Sequence, residues 1–334
     1  MTPVEAFDRA IALLDRGALG GFKVQAFVRA RDVIASLDDE ELRRRARLGT
    51  LTDLPGIGKA TARLVRETYD SDGEPSYLAE LDAETRVPCS PEGRELRRQL
   101  KGDCHSHSLW SDGGAPIATM ARAARALGHE YLVLTDHSAR LTIAHGLDRQ
   151  RLTEQLAEIA ALNEELAPFR ILTGMEVDIL EDGSLDLDED FLARLDVVVA
   201  SVHSKLRMER RPMTTRMVLA AVSPHVDILG HCTGRLIGKR PESVFDAEIV
   251  FAACAQYRTA VEINCRPERL DPPDELLPIA VELGCRFSID SDAHSPGQLE
   301  WQPYGCDKAV GAGIDGARII NTRSADDLLD LVAG

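Results

Sequence analysis

The sequence lacks any apolar run long enough to cross a membrane. A transmembrane helix needs roughly 20 consecutive apolar residues, and no stretch of the 334 residues approaches that length without a charge. The opening residues, Met1–Glu5, also lack the basic segment, apolar core and cleavage site of a signal peptide. We therefore predict a soluble, cytoplasmic protein with no membrane partner.

The sequence also lacks paired cysteines. Its cysteines are odd in number, scattered and free of any C-x-x-C pair: Cys89, Cys104, Cys232, Cys254, Cys265, Cys285 and Cys306. Such spacing is typical of reduced thiols and argues against a disulfide framework and against a zinc finger.

Basic residues are fewer than acidic ones, and they are unevenly distributed. The net charge is −16, yet residues 1–69 carry 12 of the 39 Lys and Arg and only 10 of the 55 Asp and Glu, so residues 70–334 are strongly acidic. An acidic surface repels a phosphate backbone, which excludes broad electrostatic binding of nucleic acid by this part of the chain. Bound divalent ions would reverse that repulsion locally.

The length suggests two domains, because one domain commonly holds about 150 residues. Residues 3–48 have apolar side chains at helical spacing, as at Phe7, Ile11 and Leu14. A stretch rich in Asp, Glu, Ser, Pro and Gly then separates this part from the rest. We predict an all-α domain over 1–78, a linker over 79–100 and a second domain over 101–334.

The second domain alternates short β-branched runs with helical patterns of about a dozen residues. The predicted strands are Asp103–Ser106, Tyr131–Thr135, Arg170–Val177, Asp196–Val202, Val226–Leu229, Thr259–Asn264 and Arg286–Asp290. Helices are predicted over Ile117–Leu127, Arg151–Leu166, Thr214–Val222, Ser243–Gln256 and Asp274–Leu283. This alternation predicts an α/β fold with a parallel sheet, and the number of strands favours a barrel over a doubly wound sheet.

Histidines and carboxylates follow nearly every predicted strand. These residues are His105, His107, Asp112, His137, Glu176, His203, His231, Asp292 and His294. Because functional groups of parallel α/β folds gather at the carboxyl ends of the strands, we expect them to converge on one site. Converging imidazoles and carboxylates would be costly to bury unless metal ions satisfied them. The other histidines, His129, His145 and His225, are predicted to be ordinary surface or core residues.

The composition of this set predicts a cluster of two or three divalent ions. Histidine and carboxylate ligands without cysteine suit Zn²⁺, Mn²⁺ or Fe²⁺ and do not choose among them. Nine ligands exceed the needs of one ion, so we expect a bridging carboxylate. Such clusters commonly hydrolyse phosphate esters, because the ions polarise phosphoryl oxygens and activate water. Amide and lactone hydrolases also use paired metals.

Several motifs resemble those of the polymerase and histidinol phosphatase (PHP) superfamily. They are Asp103-Cys104-His105-Ser106-His107-Ser108, Thr135-Asp136-His137-Ser138, Gly174-Met175-Glu176, Ser201-Val202-His203-Ser204, Gly230-His231 and Ser291-Asp292-Ala293-His294. Further segments, such as Trp110-Ser111-Asp112-Gly113 and Glu262-Ile263-Asn264, are most similar to the C-terminal domain of bacterial family X DNA polymerases.

The resemblance implies a distorted (β/α)₇ TIM-like barrel with a trinuclear metal site. Carried over by position, the first ion would be held by His105, His107, Glu176 and Asp292, the second by Glu176, His203 and His231, and the third by Asp112, His137 and His294. Arg235 and Lys205, which follow two of the ligands, are predicted to neutralise a substrate phosphate, with Arg235 the stronger candidate.

The segment Leu54-Pro55-Gly56-Ile57-Gly58-Lys59 resembles a helix-hairpin-helix motif. In that motif a glycine-rich turn lets backbone N–H groups and a helix N-terminus meet a DNA phosphate without regard to base sequence. Gly56, Gly58, Lys59 and Arg63 are the predicted DNA contacts, and a purely structural hairpin is the alternative. Residues 1–69 also resemble the helical domain of family X polymerases, but only a short linker stands where those enzymes have their catalytic palm. We therefore expect no polymerase activity.

Three functions follow from these features. The leading one is a DNA-processing 3′-to-5′ exonuclease or 3′-end phosphodiesterase, a DNA-repair type of activity whose partners are strand ends. The second is a small-molecule phosphatase of the histidinol phosphatase type, acting on a small phosphate ester. The third is a non-catalytic DNA-binding module, which a nine-ligand site around an open mouth disfavours.

Overall fold

The computed structural model describes residues 1–19, 21–70 and 73–333. The chain forms two compact units, Met1–Val87 and Pro88–Gly334. The boundary therefore lies inside the predicted linker 79–100. That segment contains the end of one helix, Ser76–Thr85, and all of another, Pro91–Gln99. None of the described helices is long and apolar enough to cross a membrane.

The first unit is helical, as predicted. Its α-helices among the described residues are α1 (Pro3–Arg16), α2 (Gly21–Ala35), α3 (Asp39–Leu48), α4 (Lys59–Asp70) and α5 (Ser76–Thr85). At the start of α1, the Thr2 hydroxyl accepts a hydrogen bond from the Glu5 N–H and the Glu5 carboxylate accepts one from the Thr2 N–H, which satisfies two N–H groups that the helix leaves unpaired. Phe7 and Phe27 pack in the core with ring centroids 5.8 Å apart.

The connection between α3 and α4 has the shape of a hairpin. Helix α3 ends at Gly49, whose φ of 70° is left-handed, and a short 3₁₀ turn spans Leu51–Asp53. Gly56 follows with a φ of 85°, a conformation that glycine adopts without strain. The buried Ile57 anchors the turn to the core, so the chain re-enters a helix at Lys59 with the turn exposed.

The second unit contains seven parallel strands in its described residues, arranged in the order of the sequence. They are β1 (Gly102–Asp103), β2 (Tyr131–Leu134), β3 (Arg170–Asp178), β4 (Val197–Ser201), β5 (Ile228–Leu229), β6 (Ala260–Asn264) and β7 (Phe287–Asp290). Beyond the ends of β1 and β7, Ser106 and Ala293 form a parallel bridge. The sheet is thus a nearly closed barrel, and the predicted (β/α)₇ fold is confirmed.

Helices surround this barrel, and the strands are buried on both faces. The helices are α6 (Pro91–Gln99), α7 (Ile117–Ala126), α8 (Arg149–Leu166), α9 (Glu189–Leu192), α10 (Arg210–Ala221), α11 (Ala247–Tyr257), α12 (Leu277–Glu282), α13 (Gln302–Gly311) and α14 (Ala325–Val332). Parallel strands covered in this way read as apolar runs, which made strands such as Tyr131–Leu134 and Val197–Ser201 predictable. The strand β1 has no such run, and it overlaps the predicted strand Asp103–Ser106 at Asp103 alone. The sequence patterns identified neither α6 nor α13, where proline and glycine interrupt the apolar spacing.

Candidate metal centre

The barrel brings all nine predicted ligands to the carboxyl ends of its strands. His105, His107 and Asp112 follow β1, His137 follows β2, Glu176 lies within β3, His203 and His231 follow β4 and β5, and Asp292 and His294 follow β7. They form four overlapping groups, in each of which the potential ligand atoms lie within 4.8 Å of one another. One continuous cluster therefore occupies the mouth of the barrel.

Glu176 stands at the middle of the cluster, with histidine nitrogens around both of its oxygens. Its Oε2 atom is 3.2 Å from His105 Nε2, 3.6 Å from His107 Nε2 and 2.9 Å from His137 Nδ1, and its Oε1 atom is 3.2 Å from His203 Nε2 and 2.9 Å from His231 Nε2. A carboxylate with imidazoles on both oxygens has the geometry of a bridging ligand.

Asp112 marks the outer end of the cluster. Its Oδ1 atom lies 3.5 Å from His137 Nε2 and 3.4 Å from His294 Nε2. Asp112, His137 and His294 form one group with His107. The sequence analysis had placed His107 at the first ion only. His203 likewise groups with His137 and Glu176 rather than with His231.

Several buried polar atoms of the cluster lie close to one another but make no hydrogen bond of acceptable geometry among the described residues. They are His105 Nε2, both ring nitrogens of His107, His137 Nδ1, His203 Nε2, His231 Nδ1 and Glu176 Oε2. Buried polar groups without partners are expensive, so such a concentration needs a ligand that satisfies them. Imidazole nitrogens and carboxylate oxygens are what divalent transition ions bind, and the residues present therefore fit a metal cluster.

Two carboxylates contact the Nδ1 atoms of candidate ligand histidines. Glu262 Oε1 is 2.6 Å from His105 Nδ1, and Asp178 Oδ1 is 2.8 Å from His203 Nδ1. A carboxylate on one ring nitrogen fixes the tautomer, so that the other nitrogen faces the metal. Sequence reasoning assigned neither role. Both residues lie on strands and point into the barrel, and a search for partners of the ligand histidines among such positions could have found them.

In the metal-free chain, burial opposes the protonation of His105 and His203, but the Glu176 carboxylate raises the pKa of His105 well above its usual value and that of His203 to about 9. A metal ion bound there would displace their protons.

Two other groups already have the protonation state that a metal ion needs. Burial, reinforced by the neighbouring His294 and His137, holds the pKa of His107 well below its usual value, so its imidazole is neutral and keeps a free lone pair. Burial alone would raise the pKa of Glu176, but the surrounding histidines, led by His105, hold it well below its usual range. The central carboxylate is therefore ionised.

Arginines that follow β6 approach the cluster. Arg269 Nε lies 3.3 Å from Asp292 Oδ2, and its side chain is only 12% exposed. Arg269 Nε and Nη1 have no hydrogen-bond partner in the described part of the chain. Arg266 Nη1 lies 3.4 Å from His294 Nδ1. Sequence reasoning gave these two residues no role, because only the fold brings the loop after β6 to the ligands that follow β7.

The two basic residues predicted to bind phosphate lie in different surroundings. The Arg235 guanidinium donates to the carbonyl oxygens of Arg269 at 2.7 Å and Leu270 at 2.6 Å, and to Glu242 at 3.1 Å. Arg235 therefore supports the turn that carries Arg269. Lys205 is largely exposed, with Glu181 3.8 Å away.

The predicted DNA contacts lie on the hairpin of the helical unit. Gly56, Gly58 and Lys59 are exposed there. Arg63 instead points toward α5, where its guanidinium pairs with Glu80 at 2.7 Å and with Glu67 of its own helix at 2.6 Å. Three of the four predicted residues thus share one exposed surface, and Arg63 is engaged within the unit.

The three remaining histidines are not part of the cluster. His129 is buried beside Arg97 and Gln302. His145 is exposed on a loop with a φ of 55°. His225 is partly buried near the start of β5, at the opposite end of the barrel strands from the ligands.

Comparisons with known proteins agree with this geometry. The PHP domain family matches residues 103–266. The chain is 42% identical over 230 residues to the DNA polymerase/3′-5′ exonuclease PolX of Bacillus subtilis (strain 168), an alignment that covers 69% of this chain and 40% of that protein. It is 32% identical over 206 residues to a protein named as a probable phosphatase from Thermoanaerobacter sp. (strain X514), covering 58% of this chain and 78% of the relative.

A solved structure is also similar, at greater distance. The histidinol phosphate phosphatase of Lactococcus lactis subsp. lactis Il1403, complexed with zinc, L-histidinol and phosphate, aligns with a TM-score of 0.46 and 18% identity, covering 65% of this chain and 95% of that chain. The part of the chain that matches the Bacillus subtilis relative spans less than half of that protein's length.

Proposed function

This chain belongs to the PHP domain family and its barrel is that of a metal-dependent phosphoesterase, and we propose that it removes nucleotides from the 3′ ends of DNA strands without acting as a polymerase. The observation that carries the phosphoesterase chemistry is the Glu176-centred cluster of nine ligands. The likeness over 69% of the chain to a protein named as a 3′-5′ exonuclease supports a DNA substrate.

The metal cluster would be held by the nine residues named above, with Glu176 bridging. Zn²⁺, Mn²⁺ and Fe²⁺ all suit this ligand set. Bound in this way, divalent ions polarise phosphoryl oxygens, activate water near neutral pH and stabilise the leaving oxygen. Glu262 and Asp178 keep His105 and His203 in the orientation that this chemistry requires.

Basic residues complete the site. Arg269 Nε pairs with Asp292 Oδ2 at 3.3 Å, and its Nη1 has no hydrogen-bond partner in the described part of the chain. We assign Arg269 to bind the non-bridging oxygens of the phosphate, where charge accumulates as the bond breaks. Arg235 holds the backbone carbonyl groups of Arg269 and Leu270, so it acts mainly as a positioning residue for Arg269. Lys205 contributes charge at the rim.

The helical unit would contribute DNA affinity. Gly56 and Gly58 expose the backbone of the α3–α4 hairpin, and Lys59 adds a cation at the first turn of α4. A helix N-terminus with a lysine is suited to a single backbone phosphate and carries no base specificity. This contact would act against the repulsion between DNA and the acidic remainder of the chain.

A second candidate function is hydrolysis of a small phosphomonoester. Two observations favour it: the acidic composition of residues 70–334, and the match of the barrel to 78% of a relative named as a probable phosphatase. In that case the helical unit would make no difference to catalysis.

One experiment separates the two. Metal-stripped full-length protein, and the unit comprising residues 88–334, are resupplied with Mn²⁺ or Zn²⁺ and given 5′-labelled single-stranded DNA or histidinol phosphate. Stepwise shortening of the DNA from its 3′ end, weakened by removal of residues 1–87, is the expected result. Phosphate release from histidinol phosphate alone, equal in both proteins, would replace the nuclease assignment with the phosphatase.

A further inference from the structure

A cavity of about 510 Å³ lies beside the metal centre, between the loops that follow β4 and β5. One wall begins at Lys205, two residues after the ligand His203. The other wall, which includes Arg240 and Val244, belongs to the loop that starts at the ligand His231. Each wall is therefore a direct extension of a strand end that supplies a ligand, and the cavity opens at the same end of the barrel.

The two walls are fixed to one another. The Ser243 hydroxyl donates to the Leu206 carbonyl oxygen at 2.9 Å. A side chain at Gly234, whose φ is 62°, would come within 2.7 Å of Leu206 Cδ2, so glycine lets the loops approach closely. The cavity is thus a built feature of the barrel mouth.

Cations dominate the lining. Lys205, Arg207 and Arg240 face the cavity with Glu242 as the only carboxylate among the lining residues, and Glu242 already accepts a hydrogen bond from Arg235 at 3.1 Å. Arg207 is exposed and forms no ion pair among the residues that the structure describes. In a part of the chain that is otherwise strongly acidic, a local excess of cations indicates an anionic ligand.

Apolar side chains line the same cavity. Val244 is 52% exposed, and Met208 and Pro241 also contribute to the surface. Basic side chains that can follow a phosphate backbone are one part of a site for single-stranded nucleic acid. The apolar side chains beside them give a sugar or base a surface to pack against. A free inorganic anion would have no use for the apolar part.

We propose that this cavity binds the nucleotide next to the one being removed, on the 5′ side of the scissile phosphodiester. The inference rests on the proposed nuclease function and adds a substrate preference to it. Lys205 and Arg207 contact the phosphate of that neighbouring nucleotide, and Val244 and Met208 contact its base or sugar. None of the nine candidate ligands lines the cavity, so a small phosphate ester can bind the metal centre without contacting it, and the site favours strands over isolated esters.

The test compares two diesters cleaved by full-length, metal-loaded protein. Hexathymidylate occupies the cavity, whereas thymidine 5′-(p-nitrophenyl phosphate) presents the same type of bond without a neighbouring nucleotide. Arg207→Glu is expected to lower kcat/KM for hexathymidylate about tenfold, and at least five times more than for the p-nitrophenyl ester. Arg207→Gln removes the charge without reversing it. It should also lower the ratio of kcat/KM for hexathymidylate to kcat/KM for the p-nitrophenyl ester. Loss of one phosphate contact should also reduce the slope of log affinity against log salt by about 0.7.

The matched control is Arg211→Glu, which makes the same charge change at an exposed arginine of α10 outside the cavity. Equal effects of Arg207→Glu and Arg211→Glu on both substrates would overturn the subsite while leaving the nuclease assignment standing. Failure of the wild-type protein to shorten hexathymidylate, together with hydrolysis of a phosphomonoester, would overturn the nuclease assignment and the subsite with it.

Discussion

Glu262 Oε1 lies 2.6 Å from His105 Nδ1 at the buried floor of the metal centre. The second oxygen of Glu262 accepts a hydrogen bond from the backbone N–H of His231 at 2.5 Å. One carboxylate on β6 therefore orients ligands that follow two other strands, β1 and β5. The sixth strand supplies none of the nine ligands, and its contribution is to hold two of them.

Glu262→Gln is expected to lower metal affinity and phosphoesterase activity together, by about 10- to 100-fold, which is the usual cost of losing a partner behind a ligand histidine. The measurements are metal content after dialysis against graded Zn²⁺ buffers, and kcat/KM at saturating metal. The control is Glu165→Gln, since Glu165 pairs with Arg122 at the surface. Full metal occupancy and activity in Glu262→Gln would contradict this role.

Removal of a ligand should have a larger effect. His107→Ala and Asp292→Ala are each expected to reduce turnover by more than about 100-fold, beyond the cost of losing a supporting residue. Chelation of the wild-type protein should produce the same loss, reversible on adding metal. Circular dichroism checks that the barrel stays folded. Wild-type turnover in either folded variant would remove the metal cluster from the mechanism.

The buried His129, which is not part of the metal centre, should make the free energy of unfolding depend on pH. Burial, followed by repulsion from the Arg97 guanidinium, lowers the pKa of His129 to about 3; Arg97 Nη2 lies 2.7 Å from His129 Nε2. The unfolded chain takes up this proton near pH 6.5. Because the folded state stays neutral down to about pH 3, stability should fall as the pH decreases from 6.5.

His129→Gln should remove this contribution. Between pH 7 and pH 4.5 we expect the free energy of unfolding of the wild type to fall by roughly 2–3 kcal/mol more than that of the variant. Denaturant titrations of metal-free proteins at both pH values measure the difference, in which effects of the cluster histidines cancel. His145→Gln, at an exposed position, is the matched control and should follow the wild type. Parallel curves for His129→Gln and the wild type would show that His129 is not the cause.

A substitution at Lys59 tests whether the hairpin between α3 and α4 contacts DNA. Lys59→Ala is expected to weaken binding of single-stranded DNA and to reduce the slope of log affinity against log salt by about 0.7, as loss of one phosphate contact requires. Fluorescence anisotropy at several salt concentrations gives both quantities. Lys23→Ala, at another exposed lysine of the helical unit, controls for the change in net charge. Equal effects of the two substitutions would indicate diffuse attraction rather than a hairpin contact.

The convergence of the nine candidate ligands was predictable because neighbouring parallel strands have their carboxyl ends at the same edge of the sheet. For example, the apolar run that precedes each of His203 and His231 was enough to predict that both lie at the carboxyl ends of strands. The supporting role of Glu262 was not predictable in the same way, since its partner His105 lies 157 residues away and only barrel closure brings β6 beside β1.

The basic residues illustrate the same limit. Arg235 was singled out because it follows His231, but its guanidinium donates to the backbone of the turn at Arg269. Arg269, in contrast, lies beside Asp292, although no ligand is near it in the sequence. Side-chain direction depends on which acceptors a loop places nearby, and periodicity carries no information about them.

The sequence by itself determined the barrel and a set of candidate metal ligands, because both follow from local patterns: short apolar runs, most of them followed by histidine or carboxylate. Only the tertiary structure decided how those ligands group, which carboxylates hold them, where the two units divide, and that the loops after β4 and β5 enclose a cationic cavity. These features depend on contacts between segments far apart in the chain, where packing and hydrogen-bond geometry select the partners.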